Sequence, residues 1–387
     1  MMESHEGKPE EDIMYICTLD SEEIVSAVKK MEMKEGDVAA IFLGEKNRLD
    51  VARLISGLNR EGIDFIGGIF PGIIHGDKRY EEGAVLMTMP VLKKPFLIRG
   101  LNAETIELPD FGELIAEDLS LQYTAMILVD GLTSNIALFL AEMFNQLGNS
   151  VHYFGGGGGS LSLQQEPCLF CPEGFFQDAA IVSFVKLESN LGVRHGWEEI
   201  MGPVVATRTR KNMIVELNWE NAFDVYRKTV EADSGKKLTT ENFFDLAKGY
   251  PFGIIKEGQE HIVRDPIAVN EKGELICVGE VPENTALCIL KGNKNSLIRA
   301  AGQAADDCLG SQKGRIRLSL IADCISRVIF LENNFSEELE AVNKRIQSAD
   351  KNQSPLGVLT LGEIASYGEG FLEFFNKTIV VGTFYEG

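Results

Sequence analysis

The segment Asp37-Val-Ala-Ala-Ile-Phe-Leu-Gly44 is almost wholly apolar and predicts a buried β-strand. Residues 48–60 follow it, with apolar side chains at positions 51, 54, 55 and 58, which lie on one face of a helix. A second apolar run, Ile63–Phe70, closes in Pro71-Gly72, a pair typical of turns. The chain is therefore expected to combine helices and strands from its start.

The order of elements changes in the middle of the chain, where predicted strands follow one another directly. Examples are Ala179–Lys186, Val204–Arg208 and Met213–Leu217. Adjacent strands favour antiparallel pairing over a doubly wound parallel sheet. We therefore predict an α+β or α/β fold of mixed, partly antiparallel β-sheets flanked by helices, with two similar halves that form layered αβ domains.

Internal similarity supports the two halves. Ala125–Gly131 and Ala286–Gly292 each read as a strand followed by a glycine turn and a helix. Phe65–Gly72 and Leu356–Gly362 each follow a predicted helix and end in a glycine turn. The alternative interpretation is that strand–glycine–helix units recur in α/β folds without duplication.

Length and charge limit the class of protein. The 387-residue chain is 44% hydrophobic and has a net charge of −21. This charge repels nucleic-acid phosphates and anionic lipids, so we expect neither nucleic acid nor a membrane as partner. Met1–Asp12 is polar and lacks the apolar core of a signal peptide, which predicts a cytoplasmic protein. The odd number of cysteines, seven, favours reduced thiols over a disulfide framework.

Two local motifs could bind ligands or metals. The run Gly155–Gly159, which includes Gly156 and Gly157, could offer backbone amides to an anion in a tight turn, although a bulge or a loop is an equal alternative. Cys168 and Cys171 form a C-x-x-C motif, which can supply half of a zinc site or a redox pair. Because a second pair at metal spacing is absent from the sequence, we favour two reduced thiols and no metal.

A third motif, Val193–Glu198, places Arg194, His195, Gly196 and Trp197 in one loop between strands. A guanidinium group suits a carboxylate and an indole offers an apolar wall, so the loop could bind a ligand or could anchor itself in the core. The pair Arg264-Asp265 precedes Pro266, where an internal ion pair that closes a turn is the stronger interpretation.

Residues near the C-terminus could line one cleft. Cys324 and Glu363, the latter preceded by Gly362, are expected at neighbouring strand ends. A catalytic cysteine requires a nearby histidine, for which His195 is the main candidate, and no G-x-S-x-G signature is present in the sequence. We therefore predict that the protein is not an enzyme.

The ordered set of motifs resembles the FIST family, which consists of a FIST N-terminal domain and a FIST C domain. The resemblance implies a polar N-terminal segment over residues 1–34, a FIST N-type domain over 35–217 and a FIST C-type domain over 218–387. The matching motifs are, in order, Phe65-Ile-Gly-Gly68 with Pro71-Gly72, Val129-Asp-Gly131, Gly155–Gly159, Val193-Arg-His-Gly-Trp197, Gly202-Pro-Val-Val-Ala-Thr207, Tyr226-Arg227, Phe252-Gly253, Ile262-Val-Arg-Asp-Pro266, Gly279-Glu-Val-Pro282, Cys324, Leu361-Gly-Glu-Ile364 and Asn376-Lys-Thr378.

Members of this family are described as sensory input modules of signal transduction, with amino acids among the proposed ligands. The resemblance implies binding of a small molecule, an amino acid or other small carboxylate, and signalling through a partner protein, with no cofactor. Two alternatives are a haem-based sensor with His195 as axial ligand and an adaptor that binds no small ligand. The implied ligand-binding residues are Gly155, Gly156, Gly157, Arg194, His195, Gly196, Trp197, Arg264, Asp265, Cys324, Gly362, Glu363 and Asn376.

The expected mechanism places the ligand in a cleft between the two parts of the chain. Arg194 and Arg264 would grip a carboxylate, and Trp197 would pack against its apolar portion. Glu363 or Asp265 would meet an ammonium group. The sequence departs from the family pattern at Pro71-Gly72-Ile73, where a Gly-Glu pair is expected, and at Phe375, where relatives often carry histidine.

Overall fold

The computed structural model describes residues 13–18, 20–47, 49–116, 123–256, 260–310, 314–367 and 370–385. Residues 1–12 of the predicted polar segment 1–34 lie outside these ranges, as does Arg48, the first residue of the predicted helix 48–60. The described residues form three related units of strands and helices and one inserted sheet.

The first unit begins with two strand–helix pairs, of which the opening segment predicted the second; the first pair lies within residues 1–34, which were predicted only as a polar segment. Asp50 caps the second helix by accepting a hydrogen bond from the Arg53 amide at 3.0 Å, so this helix starts at Val51. The elements of the unit are β1 (Ile13–Ile16), α1 (Ser21–Lys30), β2 (Asp37–Gly44), α2 (Val51–Arg60), β3 (Phe65–Phe70), β4 (Gly72–His75), β5 (Lys78–Tyr80) and β6 (Ala84–Pro90).

The second unit repeats this order. Its elements are β7 (Phe96–Arg99), α3 (Phe111–Ala116), β8 (Thr124–Asp130), α4 (Ile136–Leu147), β9 (His152–Gly158), β10 (Leu169–Cys171), β11 (Gly174–Phe176) and β12 (Ala179–Val185). The glycine run is not a turn, because Gly155–Gly158 continue β9. Each of these glycines pairs with a residue of β8.

The third unit starts with β13 (Glu188–Arg194) and is then interrupted by the inserted sheet. The elements of the insertion are β14 (Glu198–Arg210), β15 (Met213–Leu217), β16 (Glu220–Asn221), α5 (Ala222–Ser234), α6 (Phe243–Ala247), β17 (Phe252–Ile254), β18 (Ile262–Val269), β19 (Leu275–Val278) and β20 (Thr285–Lys291). Its strands form one sheet in the order β14-β20-β17-β18-β19-β15-β16, and β14 also pairs with β15. We call this the fourth sheet.

The third unit resumes after the insertion. It consists of α7 (Lys294–Leu309), β21 (Ile316–Cys324), α8 (Ile325–Leu331), a 3-10 turn (Glu332–Asn334), α9 (Phe335–Ala349), β22 (Leu356–Thr360), β23 (Glu363–Tyr367), β24 (Phe371–Phe375) and β25 (Ile379–Tyr385). The sequence patterns did not predict α8.

The three units exchange hairpins in a cycle. The sheets have the orders β1-β6-β2-β3-β10-β11, β7-β12-β8-β9-β23-β24 and β13-β25-β21-β22-β4-β5. In each sheet the two middle strands are parallel and the remaining neighbours are antiparallel. The hairpin that follows the second parallel strand of one unit always joins the sheet of another unit. We call these three sheets together the body.

This arrangement confirms the predicted mixed, partly antiparallel α+β fold. The internal similarity between Phe65–Gly72 and Leu356–Gly362 is explained, because β3 and β22 occupy equivalent positions. The similarity between Ala125–Gly131 and Ala286–Gly292 is local only, since β8 lies in the body and β20 in the fourth sheet. The domain boundary at residues 217/218 stays a prediction, and strands from both sides of it share two body sheets.

Candidate functional site

The motif Val193–Trp197 spans the end of β13 and the residues that join it to β14. We call this motif the link, because it connects the body to the fourth sheet. The Arg194 guanidinium is occupied: Nε donates to Asp307 at 2.7 Å and Nη1 donates to Glu260 at 3.1 Å. The hydrogen bond to Asp307 is the main cause of a raised Arg194 pKa. Arg194 therefore joins two carboxylates of its own chain.

His195 and Trp197 are buried in this link. The Trp197 amide donates to His195 Nδ1 at 2.9 Å, and Trp197 Nε1 donates to the Lys377 carbonyl at 3.0 Å. Burial lowers the pKa of His195 to about 4, so the imidazole is neutral at pH 7. Gly196 has a φ of 74°, and a Cβ there would lie 2.6 Å from Ala300 Cβ. A side chain at this position would therefore push the link away from α7.

Arg264 and Asp265 lie on β18 and do not pair with each other. The Arg264 guanidinium donates to three carbonyl oxygens, those of Glu280, Val263 and Phe374, at 2.9, 3.0 and 3.3 Å. In the part of the chain that the structure describes, Arg194 and Arg264 have no partner in common. The structure therefore places the two guanidinium groups in separate networks.

Asp265 pairs instead with Lys377, whose buried ammonium group connects the body to the inserted segment that carries the fourth sheet. Lys377 Nζ lies 3.0 Å from Asp265 Oδ2, donates to the Lys248 carbonyl at 2.9 Å and lies 4.8 Å from the Trp197 ring centre. Burial raises the pKa of Asp265, an effect that Lys377 opposes. Lys377 belongs to the motif Asn376-Lys-Thr378, but no role for it was predicted from the sequence.

Cys324, the last residue of β21, and Glu363, the first residue of β23, lie side by side, and both are buried. Glu363 accepts hydrogen bonds from the Thr360 hydroxyl at 2.6 Å and from the Thr378 amide at 3.2 Å. Burial raises the pKa of Glu363 to about 8 and also raises the pKa of the Cys324 thiol. Both groups are therefore enclosed by protein rather than facing an open cleft.

Arg327, on α8, is fully buried and organises the interior around these residues. Its guanidinium donates to Glu338 at 3.0 and 2.6 Å and to the His195 carbonyl at 2.6 Å. Asp323 Oδ1 lies 3.4 Å from Arg327 Nε. We call Asp323, Arg327, Glu338 and Glu363 the Arg327 cluster. No role for Arg327 was predicted from the sequence, where its four-residue spacing from Asp323 was the available signal.

The remaining predicted ligand residues also lie inside the protein. A Cβ on Gly155 would lie 1.8 Å from the Ile127 carbonyl oxygen, and one on Gly156 would lie 2.5 Å from Thr360 Cγ2. The Gly157 amide already donates to the Gly362 carbonyl at 2.8 Å. The Asn376 side chain is buried, and its Nδ2 has no hydrogen-bond partner among the described residues. The ligand-binding role of these residues stays a prediction.

An open cleft lies between the fourth sheet and the body, and no sequence motif marked it. It encloses about 370 Å³, a volume typical of small-molecule sites. Phe330 contributes from α8 of the body, and the other lining residues belong to the inserted segment and to the residue that follows it. They are Asp233, Ser234, Lys236, Asp245, Leu246, Lys248, Gly249, Tyr250, Lys291 and Gly292. We call it the lysine cleft.

The charges of the lysine cleft are only partly paired. Lys291 lies 2.8 Å from Asp233, which also accepts a hydrogen bond from the Tyr250 hydroxyl at 2.7 Å. These two contacts lower the pKa of Asp233. Lys236 and Lys248 have no carboxylate within ion-pair distance in the described ranges of the chain. The cleft therefore holds two ammonium groups that an anion could neutralise.

The lysine cleft contacts the buried network directly. Lys248 lines the cleft, and its carbonyl accepts the Lys377 hydrogen bond described above. Phe330 packs against Trp197 with ring centres 4.9 Å apart. A Cβ on Gly292 would lie 2.3 Å from Phe330 and 2.5 Å from Trp197, so the cleft wall is closely packed against the link. A change in the cleft would therefore reach Lys377 and Trp197.

Three further predictions concern a metal site at the C-x-x-C motif, haem binding at His195 and association with a membrane. Cys168 and Cys171 are both buried, and among the described residues neither belongs to a group of three metal-ligating side chains whose ligand atoms lie within 4.8 Å of one another. Among the described residues, His195 lines neither the lysine cleft nor another open cleft at Tyr15 and Tyr80, so these two cavities do not fit a haem bound to it. No helix in the described ranges combines the length and apolar character needed to cross a bilayer.

Comparison with protein families gives two matches that together span most of the chain. The model of the FIST N domain matches residues 37–220, and the model of the FIST C domain matches residues 222–366. No curated protein matches the chain.

Proposed function

The chain belongs to the FIST family, whose domains are sensory domains of signal transduction, and on this basis we propose that it is a cytoplasmic sensor that binds a small carboxylate in the lysine cleft. The observation that carries the proposal is that Lys236 and Lys248 line the cleft with no carboxylate within ion-pair distance among the described residues, in a protein of net charge −21. In such an acidic molecule a local excess of cations favours an anionic ligand.

The shape and lining of the cleft support an amino acid as one suitable ligand. The two free ammonium groups would meet the carboxylate, and Phe330 and Leu246 supply apolar wall. Asp245 also lines the cleft and could meet the α-ammonium group, whereas Asp233 is already bonded to Lys291 and Tyr250. This assignment replaces Arg194 and Arg264 as the groups that grip the ligand.

The signal would pass through the contact between the cleft and the buried network. A ligand that draws Lys248 and Phe330 together would shift the segment whose carbonyl holds Lys377. It would thereby favour one arrangement of the fourth sheet against the body. A partner protein would read that arrangement. The enclosed, protonated thiol of Cys324 supports a binding role rather than a catalytic one.

A thermal-shift screen over amino acids, small organic acids and haemin tests the proposal. A carboxylate that binds the folded protein should raise the melting temperature, by the equivalent of about 2.7 kcal/mol at one hundred times its dissociation constant. A response to haemin alone, with a haem absorption band, would replace the proposal with a haem sensor. No response to any small molecule would favour an adaptor instead.

A further inference from the structure

Three potential metal ligands converge on the fourth sheet, away from the lysine cleft. The carboxylate of Glu199, a ring nitrogen of His261 and the sulfur of Cys288 all lie within 4.8 Å of one another. Glu199 belongs to β14 and Cys288 to β20, while His261 directly precedes β18. These positions are far apart in sequence, so only the folded sheet brings them together.

A glycine on the intervening strand creates room for His261 and Cys288. In the pairing of β17 with β20, Gly253 lies opposite Cys288. A Cβ on Gly253 would lie 2.8 Å from His261 Cβ and 3.0 Å from Cys288 Sγ. The two side chains therefore meet across the space that a side chain on Gly253 would fill.

A second glycine brings the carboxylate to the same place. The register of β14 against β20 shifts between Met201 and Val204, which places Gly202 beside Cys288. A Cβ on Gly202 would lie 2.8 Å from Cys288 Cβ and 3.3 Å from the Glu199 carboxylate. The bulged strand thus lets Glu199 lie over the cysteine.

The cluster is closed on one side and open on the other. Cys288 is buried, His261 is half-buried and Glu199 is exposed. The His261 ring stacks on that of His195, with ring centres 6.2 Å apart and an angle of 30° between the planes. The stacked imidazole restrains one ligand, while the exposed side leaves space for water.

We propose that Glu199, His261 and Cys288 form a Zn²⁺ site with one coordination position open to solvent. A thiolate, an imidazole and a carboxylate are all ligands that zinc accepts, and three protein ligands with an open position are typical of accessible zinc sites. The thiolate and the carboxylate together neutralise the charge of the cation. Tetrahedral zinc would hold the three ligand atoms about 3.5 Å apart, so the side chains close on it by about 1 Å.

Zinc at this site would tie β14 and β20 to the start of β18 within the fourth sheet. It would also lie beside His195, at the link between that sheet and the body. The site uses no residue of the lysine cleft, so it does not depend on carboxylate binding.

The test is zinc binding by the untagged full-length chain. We expect about one zinc per chain after purification in metal-free buffer and readdition of zinc, measured by elemental analysis. With Co²⁺ we expect an absorption band from cobalt–thiolate charge transfer. Cys288→Ser and His261→Ala should each weaken zinc affinity by at least about 100-fold, and Glu199→Gln by at least about 10-fold.

Two control variants separate this site from other thiols. Cys277→Ser removes a buried thiol of the same sheet outside the cluster, and Cys168→Ser with Cys171→Ser removes the C-x-x-C pair. Both should keep the zinc stoichiometry and the cobalt band. Circular dichroism confirms that each variant is folded. If wild type binds no zinc, or if folded Cys288→Ser and His261→Ala bind zinc like wild type, the proposal is wrong.

Discussion

The Arg327 cluster and the lysine cleft both contain several charged side chains, but the two regions differ in how far these charges are paired within the protein. In the Arg327 cluster the guanidinium bonds to Glu338 and to backbone carbonyls, and it is fully enclosed. In the lysine cleft Lys236 and Lys248 line an open space of about 370 Å³ without a carboxylate partner in the described ranges. The enclosed charges stabilise the link between body and fourth sheet, whereas the open charges are available to a ligand.

The difference also shows what the sequence motifs represent. The residues of the Val193–Trp197, Ile262–Pro266 and Leu361–Ile364 motifs are mostly buried and bonded to other parts of the same chain. The lysine cleft carries no such motif. We infer that these motif residues hold the framework of this protein, which leaves the lysine cleft as the proposed ligand site.

Loss of the buried guanidinium should have the largest effect on stability. Arg327→Met would leave Glu338 and Asp323 enclosed without their cation, which typically costs about 3–5 kcal/mol. Chemical and thermal denaturation measure the loss. Lys344→Ala, which removes an exposed ion pair with Glu340, should cost less than about 1 kcal/mol. Equal stability of Arg327→Met and wild type would show that the cluster does not hold the link.

The glycine run tests whether its residues serve packing. Gly155→Ala would place a Cβ 1.8 Å from the Ile127 carbonyl oxygen, so β8 and β9 would have to separate. We expect a loss of about 3 kcal/mol in the free energy of unfolding. In Gly310→Ala the new Cβ would lie 3.4 Å from its nearest neighbour, and stability should change by less than about 1 kcal/mol. A well-folded, equally stable Gly155→Ala protein would instead support a free, ligand-facing glycine run.

The buried carboxyl group of Glu363 should make stability depend on pH. Its pKa rises from 4.5 to about 8 on folding, so the folded state binds the proton more tightly. The resulting stability is fully present below pH 4.5 and is lost as pH rises through 8. We expect wild type to lose about 1 kcal/mol per pH unit from this group in that window.

Glu363→Gln carries no titratable group and should flatten this slope, whatever its effect on absolute stability. Thermal melts between pH 5 and pH 9 measure it, with the exposed Glu340→Gln as control. Parallel curves for Glu363→Gln and wild type would show that Glu363 is ionised and solvated in the folded protein.

Local patterns predicted many of the strands and helices, although they did not predict β1, α1 or α8. The apolar run Asp37–Gly44 is β2, and Leu356–Thr360 is β22, because each is bounded by residues that end a strand. The cyclic exchange of hairpins was not predictable, since β4 pairs with β22 nearly three hundred residues away in sequence. The glycine run was wrongly predicted to be a turn or a loop. Glycine is required in tight turns, but it is equally required where a neighbouring strand such as β8 lies very close.

The site was less predictable than the fold for a physical reason. Motif residues such as Arg194 and Arg264 carry ligand-binding chemistry, but the sequence does not show that Asp307 and backbone carbonyls occupy them first. Lys236 and Lys248 are ordinary surface residues in the sequence. Only the meeting of α5, α6 and Phe330 makes them the walls of one cleft.

The most direct test of the sensor account is calorimetric titration of the best carboxylate from the screen into the Lys236→Ala/Lys248→Ala variant. We expect its dissociation constant to rise by at least about 10-fold, with only a small change in melting temperature, because neither ammonium group has a carboxylate within ion-pair distance in the described part of the chain. Lys29→Ala/Lys344→Ala removes the same charge elsewhere and should bind like wild type. The account would be contradicted if the cleft variant bound the carboxylate as tightly as wild type. It would also be contradicted if Arg194→Ala, and not the cleft variant, lost binding.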